Sequence, residues 1–217
     1  MKVLFIGNSY TYYNDMPKIF EALAKENGKE ISVDSVTKGG RKLYENLDPC
    51  DENHKIICEL KNMGRYDVLI LQENSLYPIK DFSTFEKGAS ELISLVDAKK
   101  NILYATWGRK EGSNTLTDLS LTSAEMTDIL HEKNSALAEK LGALISPVGI
   151  TFKALCEAAP AFELYNPDKS HPSYLGSAVA ALCHYRTVFG ENAKKYISLG
   201  LDSETVSTIL MAINSLK

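Results

Sequence analysis

Four short apolar segments, at residues 2–6, 68–71, 102–105 and 143–145, and one segment of alternating apolar and polar residues, at 31–36, are interspersed with stretches whose apolar residues recur at helical spacing. This alternation restricts the fold more than any other property of the chain. A short strand that feeds a helix and then another strand forms a βαβ unit, and successive units build a parallel sheet covered by helices on both faces. Strand twist makes the crossovers right-handed. The expected fold class is therefore α/β: a three-layer α/β/α arrangement around a flavodoxin-like parallel five-stranded sheet, order 2-1-3-4-5.

Helices are predicted from Asp15, as N-cap with Pro17 in the first turn, to Asn27-Gly28, and then over 51–62 and 84–97. Others are predicted from Met126 to Gly142, over 150–158, from Pro172 to about residue 188, and around Val206, Ile209, Leu210 and Ile213. Residues 110–120, which include Gly112, Ser113 and Asn114, read as a surface loop. No repeat, linker or low-complexity tract divides the chain, so 1–217 reads as a single domain.

The charge balance excludes several classes of partner. Formal net charge is -4, with no cluster of Lys or Arg that would bind nucleic acid or an anionic lipid surface. No apolar run approaches a membrane span, and the first residues lack the apolar core of a secretion signal. The expectation is a cytoplasmic protein with no nucleic-acid or membrane partner; the oligomeric state is not encoded legibly. Cys50, Cys58, Cys156 and Cys183 form no CxxC pair and read as reduced thiols, the last three on apolar helical faces. No metal site or cofactor is expected: Gly-x-Gly-x-x-Gly after the first strand is absent, and so is a P-loop.

In sheets of this kind ligands bind beyond the carboxyl ends of the strands. The segments there are Gly7-Asn8-Ser9-Tyr10-Thr11, Lys38-Gly39-Gly40-Arg41, Gln72-Glu73-Asn74-Ser75 and Trp107-Gly108-Arg109. Ser9 is a nucleophile only if a base takes its proton. Of the four histidines, His54 and His131 lie in charged helical stretches and read as solvated, and His184 reads as packed inside a helix. His171 differs. Pro172 holds it out of helical geometry, and Asp168 precedes it by three residues, so one turn brings the carboxylate to the imidazole. A purely structural alternative has Asp168 capping a turn and His171 capping the helix.

Gly7-Asn8-Ser9-Tyr10-Thr11 resembles the first block of the SGNH/GDSL hydrolases, usually Gly-Asp-Ser-x-(Thr/Ser), and Asp168-x-x-His171 resembles their last block. Gly39-Gly40-Arg41 falls where that family carries its oxyanion glycine. The usual Gly-x-Asn-Asp block is replaced by Leu71-Gln72-Glu73-Asn74-Ser75, which is closer to the Gln-Gly-Glu-Ser-Asn of some carbohydrate acetylesterases. The likeness runs in order from residue 7 to residue 171.

The resemblance implies a serine esterase or deacetylase acting on acyl, especially acetyl, esters, including those of carbohydrates. Ser9, His171 and Asp168 are the implied catalytic residues. The backbone N–H groups of Ser9 and Gly40, with the amide of Asn74 or of Gln72, are the implied oxyanion hole. Gly40 is expected to keep side-chain bulk away from the ligand. Tyr10, Trp107 and Arg109 are expected to line the substrate pocket, and Tyr12 and Tyr13 continue the aromatic run. Asn8 departs from the family's common Asp. Competing readings are a flavodoxin-like binding module, with Ser9-Tyr10-Thr11 holding a phosphate, and a non-catalytic carbohydrate-binding domain.

Overall fold

A computed structural model describes residues 1–216. Its five parallel strands are β1 (Lys2–Gly7), β2 (Ser32–Thr37), β3 (Val68–Leu71), β4 (Lys100–Tyr104) and β5 (Leu144–Ser146), ordered β2-β1-β3-β4-β5. The expected sheet order holds. Alternate residues of β1 serve opposite layers, because successive side chains of a strand point to opposite faces. Val3 and Phe5 join a core with residues of α2 (Met16–Glu26), α8 (Val148–Ala158), α9 (Tyr174–Phe189) and α10 (Ser203–Ser215). Leu4 and Ile6 join a second core with α3 (Glu52–Asn62), α5 (Phe82–Val96) and α7 (Ser123–Leu141). Burial on both faces explains why the central strands read as continuous apolar runs.

Four local expectations need correction. Asp15 does not cap α2: it has φ 54°, makes no side-chain cap bond, and ends a 3-10 turn over Tyr13–Asp15. Within 110–120 a short helix, α6 (Asn114–Leu119), is capped by Ser113 and buries Leu116. His54 and His131 are half-buried, and His54 Nδ1 lies 3.0 Å from the Asn46 carbonyl. Cys156 is exposed, not packed, although all four cysteines are free as expected. Among the described residues no helix is long and apolar enough to cross a membrane.

His184 sits in the first core, fully buried, edge-on to Tyr104, Phe5 and Phe20. Neither ring nitrogen has a hydrogen-bond partner. Burial alone pushes its pKa down to about 3. The unfolded chain therefore binds a proton that the folded chain refuses, so stability falls as pH drops below the ordinary histidine value. Each pH unit in that window costs about 1.4 kcal/mol. Between about pH 6.5 and 5, His184→Phe is expected to lose about 2 kcal/mol less stability than the parent. Denaturant unfolding at the two pH values checks this; equal acid losses in the two proteins would show that His184 is not the sensor.

Candidate active site

The carboxyl ends of β1, β2 and β3 and the loop before α9 meet at one edge of the sheet. Ser9 opens α1 (Ser9–Tyr12) immediately after β1 and is 8% exposed. Its Oγ lies 2.9 Å from His171 Nε2, and His171 Nδ1 lies 2.6 Å from Asp168 Oδ2. The three groups form a continuous chain of hydrogen bonds across 162 residues of sequence. Ser9 can donate to an unprotonated Nε2 while Nδ1–H donates to the carboxylate.

The Asp168 turn is built locally. Oδ1 accepts from the backbone N–H groups of Ser170 and His171, leaving Oδ2 for the imidazole. Lys169 has φ 62°, and Asn166 N–H closes the loop on the His171 carbonyl. Burial pulls the Asp168 pKa up, but the His171 side chain and the two backbone donors outweigh it, holding the carboxyl below its usual range. Tyr13 stacks on the imidazole at 4.2 Å, nearly parallel, and Tyr10 meets it edge-on. Sequence reasoning gave Tyr13 no such role, since only the 3-10 turn after α1 turns it onto His171.

Asn8 caps α1 by accepting from Tyr10 N–H, and its Nδ2 donates to the Arg41 carbonyl. A carboxylate at this position would face that carbonyl with no proton to give. The family's common Asp is thus replaced by a group that ties the Ser9 turn to the segment after β2. Gly40 adopts φ +67°, and a Cβ there would meet nothing within 4 Å. The left-handed backbone at this position favours glycine, and the space a side chain would fill is not taken by the chain itself. The Asn74 side chain lies beside it, Nδ2 donating to the Gly40 carbonyl at 3.0 Å. Among the described residues no acceptor engages the N–H of Ser9 or of Gly40.

Gln72 does not join this group. It is 1% exposed; Oε1 accepts from Asn8 N–H and Thr11 Oγ1–H, and Nε2 donates to the Glu73 carbonyl. Every strong contact is with the chain itself, so it braces the floor of the site. A Cβ on Gly7 would lie 2.5 Å from Thr11 Oγ1 and 2.7 Å from Gln72 Oε1, so glycine is what allows the strand end to pack this closely.

Trp107 is also not a pocket residue. It is fully buried, stacked on Phe152 at 4.1 Å and on Tyr10 at 4.8 Å, and its Nε1–H donates to the Ser170 carbonyl. Tyr10 is likewise buried, its hydroxyl 2.9 Å from Ser170 Oγ. Both support the loop that carries His171. Arg109 lays its guanidinium over the Tyr10 ring, and its Nη1 is buried without a partner. Burial lowers its pKa, against the pull of Asp168 and Tyr165. Of the aromatic residues near Ser9, Tyr12 is the one left open, 42% exposed, with its hydroxyl close to Gly39. A separate hollow of about 370 Å³, between Lys110, Cys156 and Tyr165, includes neither Ser9 nor His171. Among the described residues no group of three His, Cys, Asp or Glu side chains is placed to hold a metal ion.

No protein-family model and no curated protein sequence matches the chain. Solved structures do. A candidate SGNH hydrolase from Slackia heliotrinireducens is 28% identical, with TM-score 0.75, over 87% of this chain and 98% of its own. A DUF4886 family protein from Bacteroides uniformis superposes with TM-score 0.83 at 17% identity, covering 99% of this chain and 93% of its own. A carbohydrate acetylesterase family member from Sinorhizobium meliloti gives TM-score 0.59 at 16% identity over 93% of this chain and 100% of its own. The last two likenesses speak to fold alone. With the sheet order, the ordered sequence blocks and the 28%-identical neighbour in agreement, the chain belongs to the SGNH/GDSL hydrolase superfamily.

Proposed function

We propose that this protein is a serine esterase that removes short acyl groups, acetyl foremost, from carbohydrate esters. The observation that carries the reading is the unbroken hydrogen-bond chain Ser9–His171–Asp168 at the carboxyl edge of the sheet. Ser9 Oγ attacks the ester carbonyl as His171 Nε2 takes its proton. Asp168 holds the imidazole tautomer and stabilises the imidazolium. The oxyanion is met by the N–H groups of Ser9 and Gly40 and by the second amide hydrogen of Asn74. Collapse expels the alcohol, which takes the proton from His171. Water, activated by the same base, then releases the acid and regenerates Ser9.

Two features favour a small acyl group on a sugar. Gln72, Thr11 and Gly7 pack tightly against one another directly before the Ser9 turn, so the chain itself fills that space. Tyr12 offers an open ring at the rim, a surface on which a sugar face stacks. A non-catalytic binding module would leave the serine–imidazole–carboxylate chain without a role. No cofactor is needed for this chemistry, and its partner is the ester substrate.

The kcat/KM for p-nitrophenyl esters is expected to fall by about tenfold or more from acetate to octanoate, the octanoate forfeiting binding energy it cannot realise at a site suited to a short acyl group. Acetylated xylo-oligosaccharide is expected to be deacetylated, with release of acetate measured directly. A preference for octanoate would sink the short-acyl assignment.

A further inference from the structure

Glu73 is a buried acid that the hydrolytic scheme leaves unused. It is 4% exposed, in the segment after β3, directly before Asn74. Its carboxyl gathers donors from two separate loops. Oε1 and Oε2 both lie 3.2 Å from Leu43 N, the first residue of the 3-10 turn Leu43–Leu47 that ends the Gly39–Lys42 segment. Oε1 also accepts from Asn74 N at 2.5 Å.

These bonds complete a ring around the oxyanion side of the site. Asn8 is fixed from below by Gln72 and reaches Arg41. Gln72 bonds the Glu73 carbonyl, Glu73 bonds Leu43 and Asn74, and Asn74 returns to Gly40. Remove the Glu73 carboxyl, and the β2 and β3 loops keep only the Asn74–Gly40 bond between these residues.

We propose that Glu73 is a positioning residue that holds the Gly40 turn and the Asn74 amide in register with each other for oxyanion binding. The inference rests on the esterase reading of the same site. A carboxyl is suited to the task because its Oε1 alone reaches both N–H donors. The role requires the group uncharged, since a buried negative charge here would oppose the charge that develops on the substrate carbonyl. Burial supplies that condition, pushing its pKa up to about 8. The charged side chains that act on it come from the adjoining turn: Glu45, which raises the pKa further, and Lys42, which lowers it.

The test uses p-nitrophenyl acetate with wild type, Glu73→Ala and Glu73→Gln. Glu73→Ala is expected to lower kcat by about tenfold or more with KM nearly unchanged, somewhat less than the 10²–10³ typical of deleting an oxyanion donor itself. Glu73→Gln keeps an oxygen in the Oε1 position and is expected to restore kcat to within about twofold of wild type near pH 7. It is also expected to abolish a fall in kcat that wild type shows above about pH 8, where Glu73 ionises. A folded Glu73→Ala with wild-type kcat overturns the inference, as does a Glu73→Gln that is as impaired as the alanine variant. Should the alanine variant not fold, the glutamine variant decides alone: an alkaline fall identical to wild type overturns the role. Wild type that neither turns over the ester nor is labelled at Ser9 by an organophosphonate defeats the esterase reading itself, a separate result from any pattern among the variants.

Discussion

Replacing Ser9 with alanine is expected to remove ester turnover, with kcat down by a factor on the order of 10⁶, and to leave the fold intact. Among the described residues the Ser9 Oγ hydrogen-bonds only to His171, so its deletion breaks no other hydrogen bond of the fold. His171→Ala is expected to cost about as much, because a hydroxyl without its base is no better than no hydroxyl. The double variant is expected to be no worse than either single one. This non-additivity distinguishes a catalytic unit from two residues that contribute separately. The assay is initial rate on p-nitrophenyl acetate, together with labelling by an organophosphonate ester, which both variants should resist. Retained turnover in Ser9→Ala removes that residue from the mechanism.

Asp168→Asn is the second large effect, expected to lower kcat by about 10⁴, the scale of the corresponding change in serine proteases. Here its origin can be traced to individual atoms. Oδ1 builds the turn through two backbone N–H groups, and the oxygen of asparagine can keep both bonds. Oδ2 faces His171 Nδ1 at 2.6 Å, and an NH₂ in its place can donate but not accept. The imidazole must then carry its proton on Nε2, where Ser9 needs a base. Loss of rate with unchanged thermal stability is the expected signature. The Asp168 side chain is 46% exposed, so a variant less than about tenfold impaired would show that water can orient the imidazole instead.

Much of this was readable from the chain. Burial on both faces gave the central strands their apolar runs, and glycine or asparagine after the first four strands marked where the loops turn. Ser9, Asp168 and His171 could be paired because Pro172 and a three-residue spacing leave the turn few conformations. What stayed hidden depended on partners distant in sequence. Gln72 and Asn74 offer the same amide two residues apart, and only tertiary contacts show one bonded throughout to Asn8, Thr11 and Glu73 and the other beside Gly40. Trp107 follows a strand much as a rim residue would, yet Phe152, 45 positions later, takes its ring into the core. Glu73 carried no signal, since an isolated acid in a polar segment is usually solvated. The α6 helix is too short for its periodicity to register.

The first and last blocks of the site are joined only by folding. A chain emerging from synthesis has its hydroxyl in place early, but the imidazole that pairs with it arrives with the segment before α9, after all five strands. On the proposed esterase reading, catalytic competence is among the latest properties this molecule acquires, and nascent or C-terminally clipped forms that stop short of His171 are expected to carry an inert serine. Recovery of hydrolysis during refolding then times the docking of that final segment, whereas the recovery of helical signal does not.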